Sequence, residues 1–182
     1  IVDSATAAEK IGEPYEKEGY GIVTVHRHEN IKSRKRMEKI VKIIEKSPRE
    51  LIFPLHDNTR DALEKYGLLH RIQESDTVTI HELIDYPDFI NMLKNADILY
   101  TDGGSMQEES LMYHVPCVIL RNRTERKEGL ATGINYLSKF EVEETRKKAE
   151  ELVKKEKKDY KNPYGEPGVS KRIVDRLEEK LP

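Results

Sequence analysis

The stretch that decides the fold runs from Asp97 to Leu120 and reads DILYTDGGSMQEESLMYHVPCVIL. The apolar run from Ile98 to Tyr100 predicts a short strand, which ends before the turn Gly103-Gly104-Ser105. A helical segment follows, and the residues from Val115 to Leu120 predict a second strand. Strand, turn, helix and strand form a βαβ unit, whose parallel pairing places the glycine turn at the C-terminal edge of a sheet.

The glycine turn and the helical turn after it carry groups that suit a phosphorylated ligand. Two glycines let the backbone approach a ligand closely, and free N–H groups at the start of the helix favour an anion such as phosphate. In the triplet Gln107-Glu108-Glu109, a carboxylate could accept hydrogen bonds from sugar hydroxyls. An ordinary βα turn, with acidic residues that suit the positive end of the helix dipole, explains the same spacing. Spacing alone leaves both interpretations open.

The composition predicts one soluble, heavily charged domain. The chain has 182 residues, of which 36% are hydrophobic and 36% charged, and this length suits one well-filled domain better than two. Because 32 Lys and Arg nearly balance 34 Asp and Glu, the charge gives no reason to expect a nucleic acid or an anionic membrane as partner. No apolar run approaches the roughly 18 residues of a membrane span, and no signal peptide is recognisable. We therefore expect a cytoplasmic protein.

The cysteine and histidine pattern predicts no metal site. Cys117 lies inside a strand candidate, has no second cysteine for an intrachain disulfide, and is expected as a small core residue in a reducing compartment. One cysteine cannot build a zinc site, and no two histidines have the spacing of a metal site on one helix.

Strand and helix patterns alternate along the rest of the chain. Short β-branched and apolar runs predict strands at Gly21–Val25, Leu51–Leu55 and Val78–Ile80. Helices are expected at Thr6–Glu18, where Gly12 and Pro14 interrupt the pattern, and at Thr59–Tyr66, which ends at Gly67. Two further helices are expected to begin after the N-cap candidate Ser33 and after Asp85. The last two are expected at Val142–Lys155 and Val169–Leu181. This alternation predicts an α/β fold with a doubly wound parallel sheet of Rossmann-like type.

Polar clusters follow several of the predicted strands. His26-Arg27 comes after the first strand, His56-Asp57-Asn58 after the second, and the charged loop from Arg121 to Glu128 after the fifth. Sheets of this type bind ligands in the crevice beyond the carboxyl ends of their strands. The clusters, together with the glycine turn, therefore predict a ligand site at that edge, although His26 taken alone could equally be a satisfied polar residue at a strand end.

Five segments carry a resemblance to a known family. They are HRHEN (His26–Asn30), PLHDN (Pro54–Asn58), TDGGSMQEES (Thr101–Ser110), RNRTERKEG (Arg121–Gly129) and NPYG (Asn162–Gly165). In order and spacing along nearly the whole chain, these segments resemble the non-hydrolysing UDP-N-acetylglucosamine 2-epimerases.

The resemblance covers only the second half of such an enzyme. It implies the C-terminal, nucleotide-binding half of a two-domain architecture like that of the B-type glycosyltransferases, without the N-terminal catalytic domain. Residues 21–182 would form the UDP-binding Rossmann-like domain, and residues 1–20 would be a crossover segment and linker. In that family the last helix packs back toward the first domain, and the parent enzyme is expected to be a homodimer.

The resemblance also implies a reaction. The family interconverts UDP-GlcNAc and UDP-ManNAc by eliminating UDP and adding it back after the face at C2 has changed, with no metal and no nicotinamide, so no cofactor is expected. The acid and base carboxylates come from the first domain. We therefore expect the isolated chain to bind a UDP-N-acetylhexosamine without turnover.

Four residues are implied at the diphosphate. His26 would lie at the pyrophosphate and the reacting sugar as a catalytic residue, whereas Gly104 and Ser105 would offer backbone N–H groups to the diphosphate. Arg126 would add positive charge. A leaving UDP needs its developing charge neutralised, and a helix N-terminus together with His⁺ and Arg can do this.

Three further residues are implied at the nucleoside and the cleft. Phe89 would stand beside the uracil, Glu109 would hold the ribose hydroxyls, and His56 would face the interdomain cleft. The family usually has Ser-Gly-Gly at Gly103-Gly104-Ser105 and Pro at Lys127. The first departure touches the diphosphate loop directly, and the second changes the stiffness of the loop around Arg126.

Two other functions remain open from the sequence. The same nucleotide site could serve the donor domain of a UDP-sugar-dependent glycosyltransferase, or a UDP-sugar-binding module without catalysis. The HRHEN and TERKEG segments favour the epimerase.

Overall fold

Six strands form a single sheet within the described residues, 1–154 and 160–180, of a computed structural model. They are β1 (Tyr20–Thr24), β2 (Glu50–Pro54), β3 (Val78–His81), β4 (Ile98–Thr101), β5 (Cys117–Ile119) and β6 (Asn135–Leu137). The strand order is β3-β2-β1-β4-β5-β6, and every neighbouring pair is parallel. This order is that of a Rossmann-type sheet, so the predicted fold class is confirmed.

Ten helices connect or flank these strands in the same described ranges. They are α1 (Val2–Ile11), α2 (His28–Ile31), α3 (Arg34–Ile44), α4 (Asp57–Lys65), α5 (Leu69–Gln73), α6 (Tyr86–Asn95), α7 (Ser105–Met112), α8 (Lys127–Ala131), α9 (Val142–Lys154) and α10 (Val169–Glu178). None of the helices in this part of the chain is both long and apolar enough to cross a membrane.

The sheet has a hydrophobic core on each face because successive strand residues point to opposite sides. On β1, Ile22 packs into one core and Val23 into the other. The core that contains Val23 also holds buried apolar residues of α3, α4 and α9, whereas the core that contains Ile22 holds buried apolar residues of α1 and α6. A sheet covered on both faces leaves its strand ends as the place for a ligand crevice.

The strand order reverses between β1 and β4. The chain leaves β1 to build β2 and β3 on one side, and returns through β4 to build β5 and β6 on the other. In the β1–β4 pair, Thr24 lies opposite Thr101, so the segments that follow these two strands emerge side by side. Such a switch point is where open α/β sheets bind ligands.

Local signals in the sequence set several helix ends. The Ser33 hydroxyl accepts a hydrogen bond from the Arg36 N–H at 3.4 Å, which confirms the predicted N-cap of α3. Gly67 follows α4 with a φ of +67°, as expected of a glycine that ends a helix. Helix α1 ends before Gly12, where a Cβ would meet the Pro87 carbonyl oxygen at 2.4 Å, so only glycine fits between the two helices.

Some elements differ from the sequence prediction. Helix α1 covers only the first part of the predicted Thr6–Glu18 segment and starts earlier, at Val2. The segment predicted as a charged loop from Arg121 contains the start of α8, and the short strand β6 is an element that the sequence pattern does not predict. The predicted ends of the last two helices, at Lys155 and Leu181, lie outside the described residues.

Candidate functional site

The segment after β1 is fixed by a carboxylate at the end of β4. Asp102 is fully buried, and it accepts the backbone N–H of His26 and of Arg27, each at 3.0 Å. Asn30 donates its side-chain N–H to Asp102 at 2.9 Å and to the carbonyl oxygen of Leu120 at 3.1 Å. Asp102 and Asn30 together therefore join the ends of three neighbouring strands, β1, β4 and β5, by hydrogen bonds.

The His26 ring stands at this edge, exposed but held close to the glycine turn. Half of its side chain (51%) is open to solvent, and its Nδ1 lies 3.8 Å from Asp102 Oδ1. A Cβ added to Gly103 would lie 3.5 Å from the His26 Cε1 atom. The imidazole is thus available to a ligand that enters between β1 and β4.

Hydrogen bonds with the side chains of Thr101 and Gln107 fix the glycine turn. The Gly103 N–H donates to the Thr101 hydroxyl at 2.9 Å, and the buried Gln107 amide donates to the Gly103 carbonyl oxygen at 2.8 Å. The carbonyl oxygen of the same Gln107 side chain accepts the Thr124 hydroxyl at 2.7 Å. The turn is therefore bonded to the charged loop that follows β5, and the two segments form one surface.

Arg126 lies over the start of α7. Its guanidinium carbon is 3.1 Å from the place that a Cβ on Gly104 would occupy, so the absence of a side chain lets the guanidinium lie close to the backbone. Its Nε donates to Glu108 at 2.8 Å, and its Nη1 contacts Glu125. Ser105 opens α7, and the first N–H groups of a helix have no carbonyl partner within the helix. Backbone donors and a guanidinium therefore converge at this point.

Glu109 presents an unused acceptor on the next turn of the same helix. Only 3% of the residue is exposed, and its Oε1 accepts the Tyr86 hydroxyl at 2.7 Å. Its Oε2 is buried and has no hydrogen-bond partner among the described residues. Burial raises the pKa of this carboxyl above its ordinary value. A buried acceptor without a donor is suited to a hydroxyl that a ligand supplies.

A cavity of about 190 Å³ opens at this edge of the sheet, between the His26 ring and the first turns of α6 and α7. His26, His56, Tyr86 and Phe89 all line it, and so does Met106 from the first turn of α7. A larger cavity, of about 920 Å³, lies at the amino ends of the strands, where residues of both charges from the 9–19 segment and α6 surround it. We place the site at the smaller cavity because that edge carries the converging donors and acceptors.

All seven positions expected at the ligand lie at this one edge of the sheet. His26, His56 and Phe89 line the cavity. Arg126 lies against Gly104, which precedes Ser105 at the start of α7, and Glu109 is bonded to Tyr86, which also lines the cavity. Their roles toward a ligand stay predictions. Within residues 1–154 and 160–180, no group of three His, Cys, Asp or Glu side chains could hold a metal ion.

Asp102 and Tyr86 are not among the site residues expected from the sequence. An acidic residue directly after a buried strand and before two glycines is a usable signal for Asp102, since such a carboxylate faces the neighbouring strand end. Tyr86 gives no local signal, because 23 positions separate it from Glu109 and only the fold brings the pair together.

Comparison with known proteins assigns the chain to a family. A family model described as UDP-N-acetylglucosamine 2-epimerase matches residues 1–178. The UDP-N-acetylglucosamine 2-epimerase of Methanocaldococcus jannaschii is 35% identical over 159 residues, which are 85% of this chain and 43% of that protein. That of Methanococcus maripaludis is 33% identical over 190 residues, covering 96% of this chain and 52% of that protein.

The solved structures agree with this assignment. The M. jannaschii UDP-GlcNAc 2-epimerase, in complex with UDP-GlcNAc and UDP, superposes with a TM-score of 0.87 at 32% identity, covering 98% of this chain and 52% of that one. The chain spans about half the length of the curated relatives it matches. The match over residues 1–178 and these identities show that the chain belongs to the UDP-N-acetylglucosamine 2-epimerase family.

Proposed function

We propose that this chain is the UDP-binding half of an enzyme that interconverts UDP-GlcNAc and UDP-ManNAc. One observation carries the proposal: helix α7 offers donors and positive charge at its start and a free buried acceptor one turn later. Ser105 and Glu109 are four residues apart, a rise of about 6 Å along the axis. Anion donors and a hydroxyl acceptor at this separation suit the diphosphate and the ribose of one nucleoside diphosphate.

In the proposed reaction, this half holds UDP while bonds at the sugar change. The C2–H bond and the bond between C1 and the UDP oxygen break, which gives a glycal and free UDP. UDP then adds back to C1 while a proton is delivered to the opposite face of C2. The N-terminal half of the full-length protein supplies the carboxylates that move these protons.

His26 and Arg126 act on the leaving group. As the C1–O bond breaks, negative charge grows on the diphosphate. The half-exposed His26 ring, the Arg126 guanidinium and the first N–H groups of α7 all border the place where that charge develops. Preorganised donors of this kind lower the barrier because they need no rearrangement during the reaction. Phe89 lines the same cavity, and we assign the uracil to the space beside its ring.

The partner of this half is the remaining length of the full protein, which assembles as a homodimer. The surface of this half that contacts the remaining half includes α10. This helix has no buried residue and exposes Val169, Ile173, Val174 and Leu177. The first segment is joined to this helix, because the Asp3 carboxylate accepts the backbone N–H groups of Gly168 and Ser170. The assignment of residues 1–20 to a crossover segment stays a prediction, and these bonds attach the first turn of that segment to the last helix.

Incubating the full-length protein with UDP-GlcNAc in deuterated water tests the proposed function. Formation of UDP-ManNAc with deuterium at C2 supports it, since elimination removes the C2 proton to solvent. Transfer of the sugar only when an acceptor is added would identify a glycosyltransferase instead. Tight binding without turnover or exchange would identify a binding module.

The 182-residue chain alone gives a second test. We expect calorimetric titration with UDP to show binding, and Glu109→Ala to weaken it because the ribose hydroxyls lose their acceptor. Titration of both proteins without heat, or with the same affinity, would overturn the site assignment.

A further inference from the structure

Tyr86 forms a hydrogen bond with Glu109 that has no part in the proposed reaction. It opens α6, and its hydroxyl donates to Glu109 Oε1 at 2.7 Å. A hydrogen bond from a hydroxyl to a carboxylate is stronger than one to a neutral acceptor. Burial raises the pKa of Tyr86 above its ordinary value, so the hydroxyl remains a donor across the working pH range.

This bond fixes the plane of the Glu109 carboxylate. The last torsion of a glutamate side chain has a broad energy profile, so burial alone does not orient its two oxygens. With Oε1 bound to Tyr86, Oε2 is left buried and without a donor. Leaving such an acceptor unpaired is costly, and the cost is recovered when a ligand hydroxyl binds there.

Tyr86 belongs to a helix start that is fixed by its neighbours. Pro87 follows it in the first turn of α6, where a fixed φ suits the helix. Phe89, less than one turn further, is buried against the sheet and lines the same cavity as Tyr86. The phenol is thus presented from an element that is packed into the core, and it can hold the carboxylate in one orientation.

We propose that Tyr86 is a positioning residue that aims the free oxygen of Glu109 at the ribose 2′-hydroxyl and thereby makes the site selective for ribonucleotides. The inference rests on the proposed function, because it takes UDP as the ligand. It differs from that function in assigning the selectivity to the Tyr86–Glu109 bond and not to Glu109 alone.

The test compares UDP with 2′-deoxy-UDP by calorimetric titration of the 182-residue chain. We expect the wild type to bind UDP about tenfold more tightly, the amount that one hydrogen bond to a charged acceptor provides. In Tyr86→Phe the carboxylate is no longer oriented, so the affinity for UDP falls and that for 2′-deoxy-UDP hardly changes. The ratio of the two affinities should then approach one.

Tyr66→Phe is the matched control. The Tyr66 hydroxyl also donates one hydrogen bond, to the Ile31 carbonyl oxygen at 3.1 Å, and Tyr66 does not line the cavity. We expect this variant to keep the wild-type preference. Should Tyr86→Phe fail to fold, Tyr86→His replaces it, because the shorter ring does not reach Glu109.

The possible outcomes separate this inference from the proposed function. A Tyr86 variant that keeps the full preference, or that loses affinity for both nucleotides equally, overturns the inference and leaves the proposed function intact. A wild type that binds both nucleotides equally well also overturns it, together with the ribose role of Glu109. A wild type that binds neither overturns the proposed function.

Discussion

Helices α7 and α10 carry similar numbers of apolar residues but have opposite environments. In α7, the polar side chains Gln107, Glu109 and Ser110 are buried, and Gln107 and Ser110 are bonded within the site. In α10, no residue is buried, and the apolar Ile173 and Leu177 are more than half exposed. Buried polar side chains that are mostly hydrogen-bonded indicate a binding site, whereas exposed apolar side chains indicate a surface that this chain does not cover.

The largest effect on stability should come from removing Asp102, the buried carboxylate that holds the strand ends next to α7 together. In Asp102→Ala, the backbone N–H groups of His26 and Arg27 lose their acceptor, and the Asn30 amide loses one of its two acceptors. Unpaired buried donors cost about 1–3 kcal/mol each, so we expect the free energy of unfolding to fall by about 3 kcal/mol or more in urea denaturation.

The matched control for Asp102 is an aspartate of α10. Asp175 forms an exposed ion pair with Lys171 at 3.0 Å. Since exposed pairs contribute little, we expect Asp175→Ala to change the free energy of unfolding by less than about 0.5 kcal/mol. Equal losses in the two variants would mean that Asp102 does not hold the edge together.

The next largest effect concerns the charge at the start of α7. Arg126→Ala removes the guanidinium beside Gly104, and we expect UDP to bind about 30-fold more weakly in calorimetric titration, as for the loss of a charge-assisted hydrogen bond. Arg176 on α10, paired with Glu179 at 2.6 Å, is the control. Unchanged binding in Arg126→Ala would place the diphosphate elsewhere, and weaker binding in Arg176→Ala would point to a general charge effect.

A smaller effect should follow the protonation of Glu109. Burial raises the pKa of this carboxyl above its ordinary 4.5. If Glu109 holds the ribose hydroxyls as proposed, its charged form is the stronger acceptor. We therefore expect affinity for UDP to be complete above the raised pKa and to fall as pH drops through it, at a pH higher than an exposed glutamate would require. Titrations from about pH 8 down to about pH 4.5 measure this loss, which should be larger than protonation of an exposed glutamate would give over the same range.

Glu109→Gln separates this effect from the titration of UDP itself. The amide keeps the size of the side chain but does not titrate, so any change in affinity that remains comes from groups other than Glu109, among them the phosphates. The difference between the two pH profiles is the contribution of Glu109. Identical profiles would contradict the ribose role of this residue.

The contrast between the two helices also shows what the sequence could predict. The strand ends and the glycine turn are local patterns, and the rule that ligands bind at the carboxyl ends of parallel strands placed His26, Gly104 and Arg126 at one edge. The Ser33 cap and the glycine after α4 were equally local. Such features depend on neighbouring residues and can be read without a fold.

Contacts between distant positions could not be predicted in this way. The bond from the His26 N–H to Asp102 joins residues 76 positions apart. The position of Asp102 after a strand indicates that it faces a neighbouring strand end, but it does not identify His26 as the partner. Short elements were missed for another reason: β6 has three residues and α8 has five, too few for a hydrophobic period to appear. The amphipathic pattern of α10 was evident, but a pattern does not say whether its apolar face is covered.

The smallest effect in this chain, and the most informative about α10, should come from its exposed apolar face. Because Ile173 and Leu177 bury little surface here, Ile173→Ser and Leu177→Ser should each change the free energy of unfolding of the 182-residue chain by less than about 0.5 kcal/mol. In the full-length protein the same changes should lower stability by about 1–2 kcal/mol each, since the other half then covers these side chains. Leu111→Ser in the buried part of α7 should destabilise both proteins alike. If the α10 variants behaved identically in the two proteins, α10 would not be part of the contact between the halves, and the apolar face would need another occupant.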